Sequence, residues 1–336
     1  MRAVILVGGF GTRLRPLTLT IPKQMLPVVE VPAIERKIAQ LASCGITDIV
    51  LSMGYRPDAF REAYPDNVCA GANLTYVVES EPLGTAGAIA FAAREAGIDD
   101  TFLAFNGDTL TDIDIMGLIE LHKSRGAKGT ISLTPVDDPS RFGVVPTDAQ
   151  GKVEAFIEKP AAGEAPTKLI NAGSYVLEPD FISRVRVHDQ VSIEREIFPT
   201  MVEEGSLYAG AFDKYWLDIG TPESYLKGNM DYLNFDNGGE AFVAPSAKTG
   251  DNFVATRSVV GAGVTIGDNV SINESVVLPG AIIDEGTVID RSIVGEESHI
   301  GAGSKLANLT VVGGHLKVAT GSALDGERVS PPEVEV

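Results

Sequence analysis

The sequence predicts an α/β protein in two parts: a mostly parallel sheet layered with helices, then a parallel β-helix. Strand-like apolar runs alternate with helix-spaced runs from the N-terminus to Lys123, and beyond Asn237-Gly238-Gly239 an aliphatic residue returns every six positions. Between these regions, from Gly129 to Gly210, strand-like pieces broken by Pro, Gly and Asp suggest an antiparallel insertion suited to covering a site. The expected domains are therefore 1–235 and 236–336.

The first apolar run, Ala3–Val7, ends in two glycines and reads as a buried strand. Ala33–Ala42 places Ile34, Ile38, Leu41 and Ala42 at helical spacing. Asp48–Met53 and Leu74–Val78 read as strands, Thr85–Ala96 as an Ala-rich helix, and Ile115–Lys123 as another helix. Thr101–Phe105 is a strand running into Asn106-Gly107-Asp108. This order builds an open parallel sheet, and such sheets bind ligands at the carboxyl ends of their strands. The loops after Val7, Val78 and Phe105 should share that face. In the insertion, strands are expected over Thr130–Val136, Val144–Thr147, Val153–Glu158 and Leu169–Leu177. Thr221 and Pro222 open a helix to Tyr232, with threonine as the cap and proline where no backbone donor is needed.

The six-residue period runs through Val254, Val260, Ile266, Ile272 and Leu278. After a phase shift it continues through Ile282, Val288, Val294, Ile300, Leu306, Val312, Val318 and Leu324. Glycines follow at Gly261, Gly267, Gly295, Gly301 and Gly313, where turns are expected. A short repeat of this kind stacks one supersecondary unit on the next, each aliphatic residue resting on its neighbour. The Pro/Glu-rich end, Ser330–Val336, is expected to be a loose tail.

Composition narrows the function classes. A formal net charge of −19 argues against nucleic acid or an anionic membrane as partner. It leaves room for a small anion held by local cations and a divalent metal. Cys44 and Cys69 form neither a disulfide framework nor a zinc pattern, which fits a reduced cytoplasmic setting. No apolar run is long enough to cross a bilayer.

The segment Leu6-Val7-Gly8-Gly9-Phe10-Gly11-Thr12-Arg13-Leu14-Arg15-Pro16-Leu17-Thr18, followed by Pro22-Lys23, carries the strongest chemical signal. Glycines let the backbone approach phosphate and aim N–H groups at it. Arg13 can clamp phosphate oxygens, and Lys23 adds a mobile charge. The spacing is neither a Walker loop nor the dinucleotide fingerprint.

This segment resembles the signature of the sugar-nucleotide pyrophosphorylases, G-G-x-G-T-R-L-x-P-L-T followed by P-K-P, with Gln24 in place of the last proline. The likeness continues through Glu79-x-x-Pro82-Leu83-Gly84-Thr85-Ala86-Gly87, Asn106-Gly107-Asp108, Phe142-Gly143-Val144, Glu158-Lys159-Pro160, Asn171-Ala172-Gly173 and Trp216-Leu217-Asp218-Ile219-Gly220. The stretch Ser192–Pro199 is most similar to the mannose-1-phosphate guanylyltransferase branch. The resemblance implies a Rossmann-like nucleotidyltransferase domain followed by a left-handed β-helix, with GTP and mannose 1-phosphate as substrates and Mg2+ as cofactor. It implies that Asp108 and Asp218 hold the metal and that Arg13 and Lys23 face the triphosphate. Lys159 would bind the sugar phosphate, Glu158 and Asn171 the sugar hydroxyls, and the Gly143 backbone would lie beside the sugar. Leu6, Gly8, Gly9, Gly11, Thr12, Pro82, Gly84, Thr85 and Asn106 would line the nucleotide.

Relatives that use pyrimidines tend to carry Gln at the position of Glu79. An ionised carboxylate only accepts hydrogen bonds, which suits the adjacent N1–H and N2–H donors of guanine. Glu79 is therefore expected to read guanine. Other expectations stay open: uridylyl or thymidylyl transfer to glucose 1-phosphate, guanylyl transfer to a heptose phosphate, or a non-catalytic regulatory homologue. Hexapeptide coils also host acyltransferases, but nothing around His299 or His315 supports that chemistry, and His122 and His188 lie in unrelated contexts. The flat flanks of a β-helix suit association into a homo-oligomer.

Overall fold

A computed structural model describes residues 1–332. The sequence-predicted tail beyond Pro332 lies outside the described residues. The chain forms two compact units, Met1–Gly9 with Ile34–Trp216, and Phe10–Ala33 with Leu217 onward.

The first unit is built on one large sheet. From one edge to the other its main path runs Ile157–Glu158, Gly143–Val144, Leu169–Leu177, Phe102–Asn106, Ala3–Leu6, Asp48–Met53, Ala72–Val78 and Val68–Cys69. Ala3–Leu6 pairs in parallel with both Asp48–Met53 and Phe102–Asn106, so Leu6 lies beside Ser52 and Asn106. Ala72–Val78 extends this parallel centre, with Val78 beside Met53. Ala3–Leu6, Asp48–Met53 and Phe102–Asn106 are buried on both faces, as parallel strands between helices must be, whereas Ala72–Val78 alternates buried and exposed residues. The helix Gly84–Glu95 buries Ala86, Ala90 and Ala93, small side chains that bring it close to the sheet. Phe102, Ala104, Tyr175 and Phe198 fill the same core.

The insertion is antiparallel where expected: Leu169–Leu177 pairs antiparallel with Phe102–Asn106 and with Gly129–Pro135. Two expected strands shrink to Gly143–Val144 and Ile157–Glu158, which pair antiparallel with each other, with an isolated bridge between Thr147 and Val153 in the segment that connects them. Leu207–Ala211, not anticipated from its Gly- and Ala-containing sequence, runs parallel to Gly129–Pro135.

In the second unit, the helix Pro222–Asn237 begins as predicted: Thr221 Oγ1 accepts from Ser224 N and Pro222 occupies the first turn. It ends at Gly238, whose φ of 62° is the left-handed geometry glycine adopts at little cost. Gly238, at the sequence boundary between the two parts, is thus a helix cap. Beyond it, three parallel sheets of 6, 5 and 5 short strands form the β-helix.

The phase of the repeat needed correction. The inward stack runs Val260, Ile266, Ile272, Val277, Ile283, Ile289, Val294, Ile300, Leu306, Val312 and Val318. Val254, Ile282 and Val288, assigned inward by strict six-residue spacing, are exposed, and Leu278 is buried outside that stack. Early coils repeat after 17 residues, as Ser275 and Ser292 show, so one turn in each is a residue short. The coil from Ile293 to its partner Val311 is one residue longer, so the six-residue period is exact from Val294 to Leu324, and the pairing of Val311 with Arg328 returns to the shorter repeat. A period of five between Ile272 and Val277 moves the inward position off the sequence frame. Ile289→Ala should therefore lower unfolding stability by about 2–4 kcal/mol, because it leaves a cavity in the stack. Val288→Ala next to it should cost less than about 0.5 kcal/mol. Denaturant unfolding of both variants checks the frame.

Candidate active site

In the first unit, the carboxyl ends of the central strands gather the expected loops. Val7 N donates to Ser52 O at 2.8 Å, Gly107 N to Leu6 O at 3.0 Å, and Glu79 N to Met53 O at 2.8 Å. Gly8 lies against this junction; a Cβ there would stand 3.1 Å from Gly54 N and 3.6 Å from Glu79 Oε1. Close approach of backbone to backbone favours glycine here.

Glu79 is half-buried and held at both oxygens. Ser52 Oγ donates to Oε1 at 2.9 Å, and Leu83 N donates to Oε2 at 3.2 Å. Burial pushes its carboxyl above the usual range, and these two bonds partly oppose that shift. Each oxygen retains a second lone pair for an incoming donor. The loop from Glu79 is closed by Gly84, whose φ of 72° admits no side chain comfortably and whose Cβ would strike Val191 O at 2.6 Å. Thr85 Oγ1 donates to Glu194 Oε2 at 2.8 Å and accepts from Ile193 N at 2.8 Å. Its hydroxyl is engaged by the protein, so Thr85 anchors the loop that carries Pro82.

Asn106 ends its strand under Gly173, where a Cβ would come within 2.6 Å of Asn106 Nδ2. Two residues on, Asp108 is near enough to Lys37 to act on its charge. Lys37 is 4% exposed, donates to Thr109 Oγ1 at 3.1 Å and lies 5.4 Å from the centre of the Phe105 ring. Burial lowers its pKa to about 8, partly offset by Asp108.

On the antiparallel side, Gly143 pairs with Glu158, and a Cβ at Gly143 would meet Phe156 at 2.6 Å. Lys159 Nζ lies 3.3 Å from Glu158 Oε1, and its backbone takes a φ of 50°. Asn171 donates to Tyr175 Oη at 2.9 Å and accepts from Gly173 N at 2.9 Å, spanning the irregularity between Asn171 and Tyr175. Trp216 Nε1 donates to Ala172 O at 2.9 Å, and the ring packs edge-on against Phe142.

In the second unit, the segment after Gly9 folds as three tight turns, Thr12–Leu14, Leu17–Leu19 and Lys23–Met25. Gly11, with a φ of 62°, leaves room for Thr18, which donates from Oγ1 to Gly11 O at 2.8 Å. Leu14 points inward while Arg13 is 64% exposed, with its guanidinium 3.7 Å from Asp218 Oδ2. Gly220 makes room for that guanidinium: a Cβ there would stand 2.6 Å from Arg13 Nη2. Lys23 and Gln24 are both buried, so the Gln24 departure still permits a compact turn.

The predicted residues thus form two groups. Leu6, Gly8, Gly9, Glu79, Pro82, Gly84, Thr85, Asn106, Asp108, Gly143, Glu158, Lys159 and Asn171 belong to the first unit; Gly11, Thr12, Arg13, Lys23 and Asp218 belong to the second. Among the described residues no group of three or more His, Cys, Asp or Glu side chains could cage a metal. Magnesium accepts one or two carboxylates completed by substrate phosphates, and Asp108 in the first unit and Asp218 in the second are each donors of that type.

Sequence reading missed Ser52, Lys37, Glu194 and Asn229. Asn229 is buried; its Oδ1 accepts from Val29 N at 2.7 Å. Signals existed for two of them. Lys37 occupies the inward stripe of its helix between Ile34 and Leu41, and Asn229 shares a face with Tyr225, Leu226 and Leu233. A polar residue on an apolar stripe is buried only with partners. No described helix is long and apolar enough to cross a membrane.

Comparison with known proteins identifies the families that the two parts match. Residues 2–234 match the nucleotidyl transferase family, and residues 238–335 match the GMPPB C-terminal domain. A mannose-1-phosphate guanylyltransferase of Mycobacterium tuberculosis is 42% identical over 69% of this chain and 64% of its own length. A mannose-1-phosphate guanyltransferase of Aspergillus oryzae is 39% identical over 75% of this chain and 74% of its own. The chain therefore spans a little under two thirds of the first of these relatives. The crystal structure of HddC from Yersinia pseudotuberculosis complexed with GMP-PN is 32% identical, with a TM-score of 0.59 over 69% of this chain and 99% of that one. With a signature loop, a strand-end site and a matching family across the whole sheet, this chain belongs to the nucleotidyl transferase family.

Proposed function

We propose that the chain transfers a guanylyl group from GTP to mannose 1-phosphate, giving GDP-mannose and pyrophosphate. The observation that carries this reading is Glu79, a carboxylate fixed by Ser52 and Leu83 beside Gly8, where a purine edge with two donors would find two acceptors. The names of the similar proteins support the same sugar, and the GMP-PN complex of HddC supports a guanine nucleotide.

An oxygen of the sugar phosphate attacks the α-phosphorus in line. The bond from that phosphorus to the bridging oxygen breaks, and its electron pair leaves on pyrophosphate. Such a transfer needs positioning and charge neutralisation more than covalent help. Arg13 and Lys23 neutralise the triphosphate and leaving group; Lys159 neutralises the sugar phosphate. Glu158, Asn171 and the Gly143 backbone orient the sugar. Asp108 and Asp218 are the carboxylates that would hold Mg2+, which when bound supplies further neutralisation of phosphate oxygens. We assign these roles to a catalytic part, 1–235, and place the β-helix, 236–336, outside the chemistry itself. Free Cys44 and Cys69 fit a cytoplasmic enzyme, and exposed Val254, Ile282 and Val288 on the coil suit self-association.

Pyrophosphate release from GTP and mannose 1-phosphate should fall more than about 100-fold in excess EDTA and return with added Mg2+. Release that survives chelation would contradict the two-aspartate assignment.

A further inference from the structure

The segment Phe10–Ala33, which carries Arg13 and Lys23, belongs to the same compact unit as the helix Pro222–Asn237 and the β-helix. Two elements of that unit hold it. The helix holds its second half: Tyr225 Oη donates to Pro27 O, and buried Asn229 accepts from Val29 N at 2.7 Å. Val29 has a φ of 61°, a left-handed backbone that a β-branched residue adopts only when its surroundings enforce it.

The β-helix holds its first half. Pro16 is buried against Gly313, where a Cβ would come 2.9 Å from Pro16 Cβ. At Gly314 a Cβ would come 2.7 Å from Thr20 Oγ1. From the next coil, Arg328 Nη1 donates to Arg15 O at 3.2 Å.

The repeat supplies an internal comparison. Strand register aligns Gly314 with Glu296, Pro279 and Ala262 of the preceding coils. Glycine stands at this place only in the coil that meets Pro16 and Thr20. Gly314 does not have positive φ, so the coil's own backbone does not demand glycine there, and the space taken by Thr20 does. Gly313 aligns with Gly295 and Gly261, a place where the coil itself favours glycine, and there the glycine also leaves the room that Pro16 fills.

We propose that Gly313, Gly314 and Arg328 are positioning residues for the nucleotide reaction: this corner of the β-helix fixes residues 15–20 and, through them, the placement of Arg13 and Lys23. The consequence rests on the loop's assignment to the triphosphate. A loop ordered before binding loses less entropy when the ligand arrives, and small misplacement of a charged clamp is costly.

The test uses the full chain. Gly314→Val and Arg328→Ala should each raise KM for GTP about 10-fold, with KM for mannose 1-phosphate changed less than about 2-fold. Without ligand, amides of Leu14, Arg15 and Leu19 should exchange hydrogen faster in both variants. Ala262→Val, at the aligned and exposed position of an earlier coil, should leave both readouts unchanged. Because Arg328 is exposed, its variant keeps the test open should Gly314→Val fail to fold. Unchanged KM and unchanged exchange in folded Arg328→Ala would overturn the proposal. Arg13→Ala separates it from the reading beneath: a raised KM there with none in the coil variants overturns the coil's role alone. An unchanged KM for GTP in Arg13→Ala overturns the loop assignment itself.

Discussion

Asp108→Asn and Asp218→Asn should each lower kcat about 10²–10³-fold, the scale expected when one preorganised charge is taken from a phosphoryl-type transition state. Asparagine keeps the shape of each side chain and removes its charge. At Asp218 the substitution also takes the ionic partner from Arg13, 3.7 Å away, leaving that guanidinium less confined. At Asp108 it removes the one charge that raises the buried Lys37 ammonium toward its ordinary pKa. The two variants therefore disturb different neighbours while sharing one predicted defect. The shared defect is read as lost turnover together with a raised magnesium concentration for half-maximal rate. A structural role would instead appear as a lowered Tm with turnover kept in the folded fraction. Full turnover in the double variant would contradict the assignment of both aspartates to the metal.

Glu79→Gln should reduce the preference for GTP over UTP about 10–100-fold. One charge-assisted hydrogen-bond arrangement is worth about 1.5–3 kcal/mol, and about 1.4 kcal/mol is tenfold. Gln places an N–H where guanine also presents one. The effect depends on Ser52 and Leu83, which hold the carboxylate plane; an amide cannot accept at both oxygens as the carboxylate does. The charge state carries a pH dependence of defined sign. Burial raises the Glu79 pKa, so the acceptor-only form is lost on acidification at a higher pH than an ordinary glutamate would show. Protonation puts a donor against the guanine donors, so kcat/KM for GTP should decline there. The Gln variant should lack that limb, and pH profiles of both proteins check it.

Much of this was legible in the residues. Apolar runs of Ala3–Leu6, Asp48–Met53 and Phe102–Asn106 are continuous because both faces are buried, and their ends placed the loops on one side. Thr221 and Pro222 marked a helix start by capping chemistry alone. Leu207–Ala211 was missed because its alternation is weak and its strand partner lies far upstream in sequence. The β-helix was legible as an architecture but not in phase, since a turn one residue short shifts the inward position without any local mark. Within the site, motif residues were easy to find and their holders were not. Ser52 is a hydroxyl inside an apolar strand, and its contact with Glu79 exists only once two strands lie side by side. Nor does anything in the local sequence announce that Pro16 and Thr20 rest on Gly313 and Gly314.

The central claim is the pairing of GTP with mannose 1-phosphate, and a substrate matrix addresses it most directly. Pyrophosphate release would be measured with Mg2+ for GTP, UTP and dTTP, each against mannose 1-phosphate, glucose 1-phosphate and a heptose 1-phosphate. The highest kcat/KM should fall on GTP with mannose 1-phosphate, with UTP lower by at least about 10-fold. A maximum on UTP or dTTP with glucose 1-phosphate would contradict the account, because it would leave Glu79 without the base that its two fixed oxygens are proposed to read.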